Sequence, residues 1–435
     1  MKRKELNYLS KWKISAGRKP LIIRGARQVG KTWLMKEFGM QAYEKTAYVN
    51  FENNSVLKSL FSDNFDIGRI LLALQIETGI NIDAENTLII LDEVQEAPGA
   101  LTSLKYFYEN APQYHIIAAG SLLGVALNSK TSFPVGKVDF LDLYPFDFSE
   151  FLQAINLEAL VDLLEKRDWS LIKTFKSKYI EALKQYYYVG GMPEAVLSFS
   201  QKKDFTEVRA IQKRILIAYE QDFSKHAPQE IVPRIRMLWN SIPSQLAKEN
   251  RKFIYGLIRQ GARAREYELA MNWLSDCGLI HKVNNVDKPG MPLKAYEDGA
   301  AFKLFIVDVG LLSAITDLDA KTILEGNSIF EEFKGALTEQ YVLQQLITQK
   351  QSGVYYWSPE NAKSEIDFLI QYEGAIVPIE VKAEENLKSK SLRVYFDKYQ
   401  PATAVRTSMS DFRQEEWMIN IPLYSIGMVY QLIIK

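Results

Sequence analysis

A glycine-rich octapeptide near the start of the chain is its most constraining sequence feature. Residues 25–32 read GARQVGKT and fit the pattern G-x4-G-K-[ST]. The apolar run Leu21-Ile22-Ile23 before it predicts a buried strand, and the residues from Trp33 to Phe38 predict the start of a helix. A strand, a glycine turn and a helix in this order present backbone N–H groups and a helix N-terminus to a phosphate chain. We therefore expect an α/β domain built around a phosphate-binding loop.

The residue types of the octapeptide suggest a role for each position. Gly25 and Gly30 allow the backbone to curl around phosphates. Lys31 is expected to reach the β- and γ-phosphates, and Thr32 to place its hydroxyl on Mg²⁺. The alternative is an ordinary glycine-containing turn, and the flanking strand and helix argue against it.

A second apolar run supplies the acidic half of the predicted site. Residues 87–93 read TLIILDE, which is typical of a buried parallel strand that ends in two carboxylates. Ligands of open α/β sheets bind at the carboxyl ends of such strands. We expect Asp92 to hold Mg²⁺ through water and Glu93 to orient and deprotonate an attacking water. The alternative is a strand that merely ends in solvated acids.

A third apolar run, His115 to Ala119, predicts another strand of the same sheet and ends at Gly120-Ser121. Ser121 is a candidate sensor of the γ-phosphate at a neighbouring strand tip. The evidence from one residue is weak, because Gly-Ser is more often a plain turn.

These motifs together resemble the AAA-type ATPases of bacteria and archaea that carry a C-terminal domain of unknown function. The resemblance rests on GARQVGKT, LIILDEVQ and IIAAGS, and on the later Leu143-Tyr144-Pro145-Phe146. It covers nearly the whole chain and implies ATP and Mg²⁺ as cofactors and ATP hydrolysis as the activity. It also suggests that residues 188–193, YVGGMP, form the turn such ATPases place near the adenine. The family usually has Gly-Arg where this chain has Gly136-Lys137, which leaves any arginine finger unassigned.

Composition favours a protein of several domains without a membrane span. The 435 residues include 53 basic and 53 acidic side chains, so no overall charge draws the chain to nucleic acid or membrane. The single cysteine, Cys277, excludes an internal disulfide and suits a reducing cytoplasm. The longest nearly apolar run, residues 116–127, is too short to cross a bilayer. The predicted localisation is cytoplasmic.

Four regions are expected along the chain. They are an AAA-type P-loop core with a parallel sheet (1–150), a helical lid (151–200), a winged-helix-like module (201–325) and a nuclease-like α/β domain (326–435). A homo-oligomer is compatible with this organisation.

The winged-helix expectation rests on element order and local charge. Residues 201–270 hold 14 Lys or Arg and 8 Asp or Glu in an otherwise neutral chain. Two short helices, Ile242 to Ala247 and Arg265 to Leu274, are predicted before a strand at 278–283 and a Pro/Gly loop at 288–290. A second helix in this order can enter the DNA major groove. DNA is therefore a candidate partner, although such modules also serve only to join domains.

The last region carries a second possible chemistry. Strands are predicted at 354–357, 365–370 and 375–382, which places Asp367 beside Glu380 on adjacent strands. Lys382 shares the face of Glu380, because residues two apart in a strand point the same way. Two carboxylates with a lysine can hold Mg²⁺ and polarise an attacking water, and Glu339, on a helix predicted at 335–346, is a candidate third carboxylate. This arrangement resembles the PD-(D/E)XK nuclease core.

Two rival functions remain open. The chain could be an ATP-dependent binding or signalling switch whose nuclease fold is catalytically dead, and intact Asp367, Glu380 and Lys382 argue mildly against it. It could also be a nucleotide-dependent kinase, which Glu93 and the downstream regions argue against, because a kinase of small molecules needs no base at that position.

Overall fold

The computed structural model describes residues 1–52, 54–63, 65–120, 134–248, 252–325, 331–359, 364–385 and 389–433. These residues form two compact units. The first comprises residues 2–144 and 276–279, and the second comprises Met1, 145–275 and 280–435. The predicted limits at residues 200 and 325 fall inside the second unit, and the four-domain division stays a prediction.

The first unit contains a five-stranded sheet in which every strand pair is parallel. Its spatial order is β2-β3-β4-β1-β5. The strands are β1 (Leu21–Arg24), β2 (Lys45–Asn50), β3 (Thr87–Asp92), β4 (His115–Ala119) and β5 (Asp139–Asp142). The helices are α1 (Glu5–Ile14), α2 (Lys31–Ala42), α3 (Ser55–Asp63), α4 (Ile67–Thr78) and α5 (Pro98–Asn110), with a 3₁₀ turn at Val94–Glu96.

Two adjacent strands at the centre of this sheet are buried along their whole length. All residues of β3 and β4 are buried, which explains their near-continuous apolar sequences. Parallel strands need long crossover connections, and the helices between them provide these. The expectation of an α/β unit with a parallel sheet is confirmed, including strands at the three predicted positions.

The second unit combines helices with an eight-stranded mixed sheet of order β12-β13-β11-β10-β9-β8-β6-β7. Its strands are β6 (Ile280–Val286), β7 (Glu297–Ile306), β8 (Val354–Trp357), β9 (Ile366–Tyr372), β10 (Ala375–Val381), β11 (Val405–Ser408), β12 (Arg413–Gln414) and β13 (Ile419–Pro422). The strands at 354–357, 365–370 and 375–382 are confirmed to within a few residues. The hairpin between β9 and β10 turns at Glu373 and Gly374, whose φ angles of 44° and 77° suit a tight turn.

Helices cover the rest of this unit. They are α6 (Phe148–Ala154), α7 (Glu158–Lys166), α8 (Trp169–Thr174), α9 (Lys176–Val189), α10 (Pro193–Lys202), α11 (Phe205–His226), α12 (Val232–Leu246), α13 (Ala264–Asp276), α14 (Val309–Ile315), α15 (Ala320–Glu325), α16 (Glu331–Thr348), α17 (Lys390–Tyr399) and α18 (Val429–Leu432). The helical character predicted for 151–200 is confirmed, and its role as a lid stays a prediction. None of the described helices is long and apolar enough to span a membrane.

The helix predicted at 242–247 is longer than expected. It begins at Val232, and Pro233 lies in its first turn, where the missing proline N–H removes no helical hydrogen bond. Pro243 lies inside the same helix, where its ring leaves one helical hydrogen bond unmade. The second predicted helix, 265–274, is confirmed within α13. The strand predicted at 278–283 is β6, which pairs with β7 and also with β8 of the larger sheet.

Buried polar side chains of α16 connect elements that are far apart in sequence. Gln340 accepts from the N–H of Ile306 and donates to its carbonyl (3.1 and 2.7 Å), at the end of β7. Gln345 accepts from the Phe148 N–H at 2.9 Å. Because both glutamines are buried, removing either would leave unpaired backbone groups in the core. Helix α16 is therefore part of the central packing of the second unit.

Candidate functional site

The phosphate-binding loop joins β1 to α2 in the predicted place. Gly25 and Gly30 have φ angles of 147° and 93°, which are backbone conformations that residues other than glycine rarely adopt. A Cβ atom at Gly25 would lie 2.2 Å from the Leu143 carbonyl oxygen, so space and backbone angle both require glycine there. Helix α2 begins at Lys31, directly after the loop.

Lys31 is buried within its own loop. Its Nζ donates to the carbonyl oxygens of Gly25 and Ala26 at 2.9 and 2.8 Å. Burial lowers the pKa of Lys31 to about 8, while Glu93 and Asp92 act in the opposite direction. A bound polyphosphate would place negative charge beside the Lys31 ammonium and would therefore favour the charged form of this side chain.

The acidic residues at the end of β3 lie beside this loop. Asp92 is 2 % exposed, and its Oδ2 accepts hydrogen bonds from Thr32 Oγ1 at 2.7 Å and from Tyr48 OH at 3.0 Å. Burial raises the pKa of Asp92, and these two hydrogen bonds oppose that rise. Glu93 follows with φ 51°, and its carboxylate accepts from Gln95 Nε2 at 2.7 Å.

The structure thus brings together six of the seven residues predicted for the nucleotide site: Gly25, Gly30, Lys31, Thr32, Asp92 and Glu93. Ser121 lies outside the described residues. Thr32 and Asp92 offer adjacent oxygen atoms of the kind Mg²⁺ prefers. The roles of these residues stay predictions. Sequence reasoning missed Tyr48, because only the pairing of β2 with β3 brings its hydroxyl to Asp92.

Gly136-Lys137, where the resembling family usually has Gly-Arg, forms a local ion pair. Lys137 Nζ lies 3.1 Å from Glu109 Oε1. This contact gives Lys137 a structural partner within the first unit, and the identity of any arginine finger stays open.

The predicted glycine turn at 188–193 is held by a buried aspartate from another part of the second unit. Asp308 Oδ2 accepts from the Gly191 N–H at 2.6 Å and from Gln344 Nε2 at 3.0 Å. Its Oδ1 accepts from the Leu311 N–H at 3.0 Å and caps α14. Gly190 has φ 73°, and a Cβ there would lie 2.1 Å from Asp308 Oδ1. Asp308 was not singled out from the sequence.

Removing the Asp308 carboxylate is expected to destabilise the chain strongly. Asp308→Ala would leave the Gly191 N–H and the Gln344 amide without their buried partner, at a cost of about 3 kcal/mol or more. The matched control is Asp319→Ala, because exposed Asp319 caps α15 through the Thr322 N–H at 2.8 Å but binds no buried group from elsewhere. Urea denaturation measures both, and equal small decreases in stability for the two variants would contradict the assigned role.

The predicted C-terminal residues are brought to one region of the second unit. The register that pairs Ile379 with Phe368 makes Glu380 face Asp367 across β9 and β10. Glu380 Oε1 lies 3.0 Å from Lys382 Nζ, and Asp367 Oδ2 accepts from the Val381 N–H at 2.7 Å. Burial raises the pKa of Glu380, and Lys382 opposes that rise.

Two residues of this region were not predicted as site residues. Lys303 of β7 contacts Glu339 of α16, Glu365 and Asp367. Within the described residues, no group of three or more His, Cys, Asp or Glu side chains has an arrangement that could hold a metal ion. The geometry gives no support to metal ligation by Glu339, Asp367 and Glu380, which stays a prediction. A lone lysine in the apolar run AAFKLFIV was the available sequence signal.

The loop, the parallel sheet and the adjacent carboxylates define a P-loop nucleotide-binding domain. Residues 17–152 match the family model described as an AAA domain. Residues 17–152 therefore have the sequence of an AAA domain and the loop geometry of a P-loop fold. Residues 180–322 and 334–426 match two families described as domains of unknown function, DUF8612 and DUF4143. No curated protein matches the chain.

Several solved structures resemble the chain weakly. A Walker-type ATPase of Pyrococcus abyssi has 15 % identity and a TM-score of 0.44, over 72 % of this chain and 95 % of that one. The Orc1 protein of Aeropyrum pernix, solved in complex with DNA, has 13 % identity and a TM-score of 0.26, over 72 % and 91 %. Cdc6p of Pyrobaculum aerophilum has 13 % identity and a TM-score of 0.25, over 74 % and 94 %. The AAA assignment depends on the family match and the loop geometry, not on these similarities.

Proposed function

We propose that the chain binds ATP together with Mg²⁺ and hydrolyses it at the site formed by the loop after β1 and the end of β3. The observation that carries this proposal is the direct hydrogen bond between Thr32 and Asp92, beside the buried ammonium of Lys31. Thr32 and Asp92 would hold Mg²⁺, which supplies positive charge to the phosphate oxygens when bound.

Lys31, Glu93 and Gln95 have separate roles in the proposed reaction. Lys31 exchanges the Gly25 and Ala26 carbonyl oxygens for phosphate oxygens, and this keeps its ammonium paired throughout. Glu93 accepts the proton of the attacking water, and Gln95 holds its carboxylate through a hydrogen bond. The direct test is the release of phosphate from ATP by the purified chain with Mg²⁺.

DNA binding through residues 201–325 is the second candidate function. Helix α13 buries Tyr267, Ala270, Met271, Trp273 and Leu274, and it exposes Arg265, Glu268, Leu269 and Asn272 on its other side. Arg263, directly before α13, and Arg265, in its first turn, are exposed, and the surrounding segment carries the basic excess described above. These features support the proposal that α13 lies against the phosphate backbone or in a groove of DNA.

Charge reversal at Arg263 and Arg265 together is expected to weaken DNA binding and to flatten its salt dependence. The slope of log affinity against log salt becomes shallower by about 0.9 for each phosphate that the variant no longer neutralises. Fluorescence anisotropy with duplex DNA at several salt concentrations measures both quantities. The matched control reverses Lys166 and Lys178, which are exposed and lie outside the basic segment.

The outcome separates two classes of partner. If the Arg263/Arg265 variant and the control bind DNA with equal affinity, the DNA contact lies elsewhere than on α13. A complete lack of DNA binding at low salt would favour a protein partner instead.

A nuclease-like fold is proposed for residues 326–435. The facing of Asp367 and Glu380 on adjacent strands, with Lys382 beside Glu380, supports it. The two candidate activities of this region remain DNA cleavage and binding without cleavage. The surroundings of Lys303 bear on this choice.

A further inference from the structure

Lys303 is a fully buried lysine in the second unit. It lies on β7 between Phe302 and Leu304, and its side chain has no exposure to solvent. An ammonium group without water around it costs several kcal/mol unless carboxylates or hydrogen-bond acceptors surround it. The free energy of burying Lys303 within β7 therefore depends on the groups that surround its ammonium.

Three carboxylates surround the Lys303 ammonium, one on α16 and two at the N-terminal end of β9. Nζ lies 3.4 Å from Glu339 Oε2 on α16 and 3.9 Å from Asp367 Oδ1 on β9. It also contacts the carboxylate of Glu365, the residue that precedes β9. The ring of Tyr356 on β8 lies below it, with the ring centroid 5.1 Å from Nζ. Four elements thus converge on one internal cation.

Two of these carboxylates are residues that the sequence assigns to a divalent metal. Mg²⁺ needs oxygen atoms at about 2.0–2.1 Å in a nearly octahedral arrangement. Here Glu339 and Asp367 instead share an ammonium group. The third predicted ligand, Glu380, is paired with Lys382. The residues present therefore do not fit a metal ion in this arrangement.

We propose that Lys303 is the resident cation of the Glu339, Glu365 and Asp367 cluster and takes the place that a divalent metal would have. The C-terminal region then has no divalent-metal site at these carboxylates and does not cut DNA by a metal-dependent reaction. This inference does not depend on ATP hydrolysis, because it concerns only residues of the second unit.

Mn²⁺ binding tests the proposal directly. Full-length chains that carry Thr32→Ala, to weaken metal binding at the nucleotide loop, are titrated with Mn²⁺ alone and followed by electron paramagnetic resonance. The protein with Lys303 is expected to bind no Mn²⁺ that depends on Asp367. Lys303→Met is expected to gain about one Mn²⁺ per chain, because it removes the ammonium around which three carboxylates are arranged. Adding Asp367→Asn to Lys303→Met should remove that ion again.

Thermal melting gives an independent measurement. Lys303→Met without metal should melt roughly 6–10 °C lower, since it removes the cation that compensates the buried Glu339 and the partly exposed Glu365 and Asp367. Mn²⁺ should restore part of this decrease in Lys303→Met and leave the protein with Lys303 unchanged. Lys334→Met is the matched control, because Lys334 pairs with the exposed Glu384 away from this cluster and should show neither effect.

Two results would overturn the proposal. One is Mn²⁺ binding by the protein with Lys303 that disappears with Asp367→Asn. The other is a folded Lys303→Met chain that gains no Mn²⁺. If Lys303→Met does not fold, the first comparison still decides, since it uses only chains that keep the lysine.

Discussion

Replacing Lys31 with alanine is expected to abolish ATP binding. The substitution deletes the ammonium that faces the phosphates, in a buried position where water cannot substitute for it. Isothermal titration calorimetry with ATP and Mg²⁺ measures the change in affinity. Lys11→Ala is the matched control, because Lys11 is an exposed lysine on α1 and contributes no group to the loop.

The melting temperature of Lys31→Ala must be recorded alongside. Lys31 also ties the Gly25 and Ala26 carbonyl groups, so part of any effect would come from a rearranged loop. A folded Lys31→Ala chain that binds ATP as tightly as the wild type would show that phosphate recognition does not depend on this lysine.

Replacing Glu93 with glutamine is expected to separate ATP binding from hydrolysis. The amide keeps the size of the side chain and can still accept from Gln95, but it cannot take a proton from water. ATP affinity should therefore stay close to the wild-type value, while the hydrolysis rate falls roughly 10²–10⁴-fold, the usual worth of a general base. Single-turnover hydrolysis with excess enzyme measures the chemical step.

Glu96→Gln provides the matched control for this substitution. Glu96 belongs to the same short turn after β3 and pairs with Lys58 at 3.4 Å. It should leave hydrolysis unchanged. An unaffected rate in Glu93→Gln, or an equal decrease in both variants, would place the catalytic base elsewhere.

The nucleotide site could be predicted because its residues form two short local patterns. The first pattern is the loop of residues 25–32, and the second is β3 followed by Glu93. Each pattern can be recognised within eight residues, and the parallel sheet places the loop beside the end of β3. Tyr48 could not be predicted, because its contact with Asp92 depends on the register between β2 and β3.

In the second unit, the positions of several helices and strands could be predicted from the sequence, but the contacts between them could not. The hairpin that carries Asp367 and Glu380 follows from two apolar runs, each interrupted by a charged residue, and from the tight turn at Glu373-Gly374. The partners of Lys303 and Asp308 come from segments about 30 to 120 residues away, and no local periodicity encodes such contacts. Buried charge inside apolar strands is the signal that could have marked Lys303 for attention.

The central claim is that this chain hydrolyses ATP, and steady-state release of phosphate from ATP by the purified full-length protein tests it most directly. The measurement compares wild type with Lys31→Ala, with and without Mg²⁺. The structure predicts phosphate release by the wild type that requires Mg²⁺ and disappears in Lys31→Ala. Wild-type protein that releases no more phosphate than Lys31→Ala, and binds no ATP, would contradict the claim.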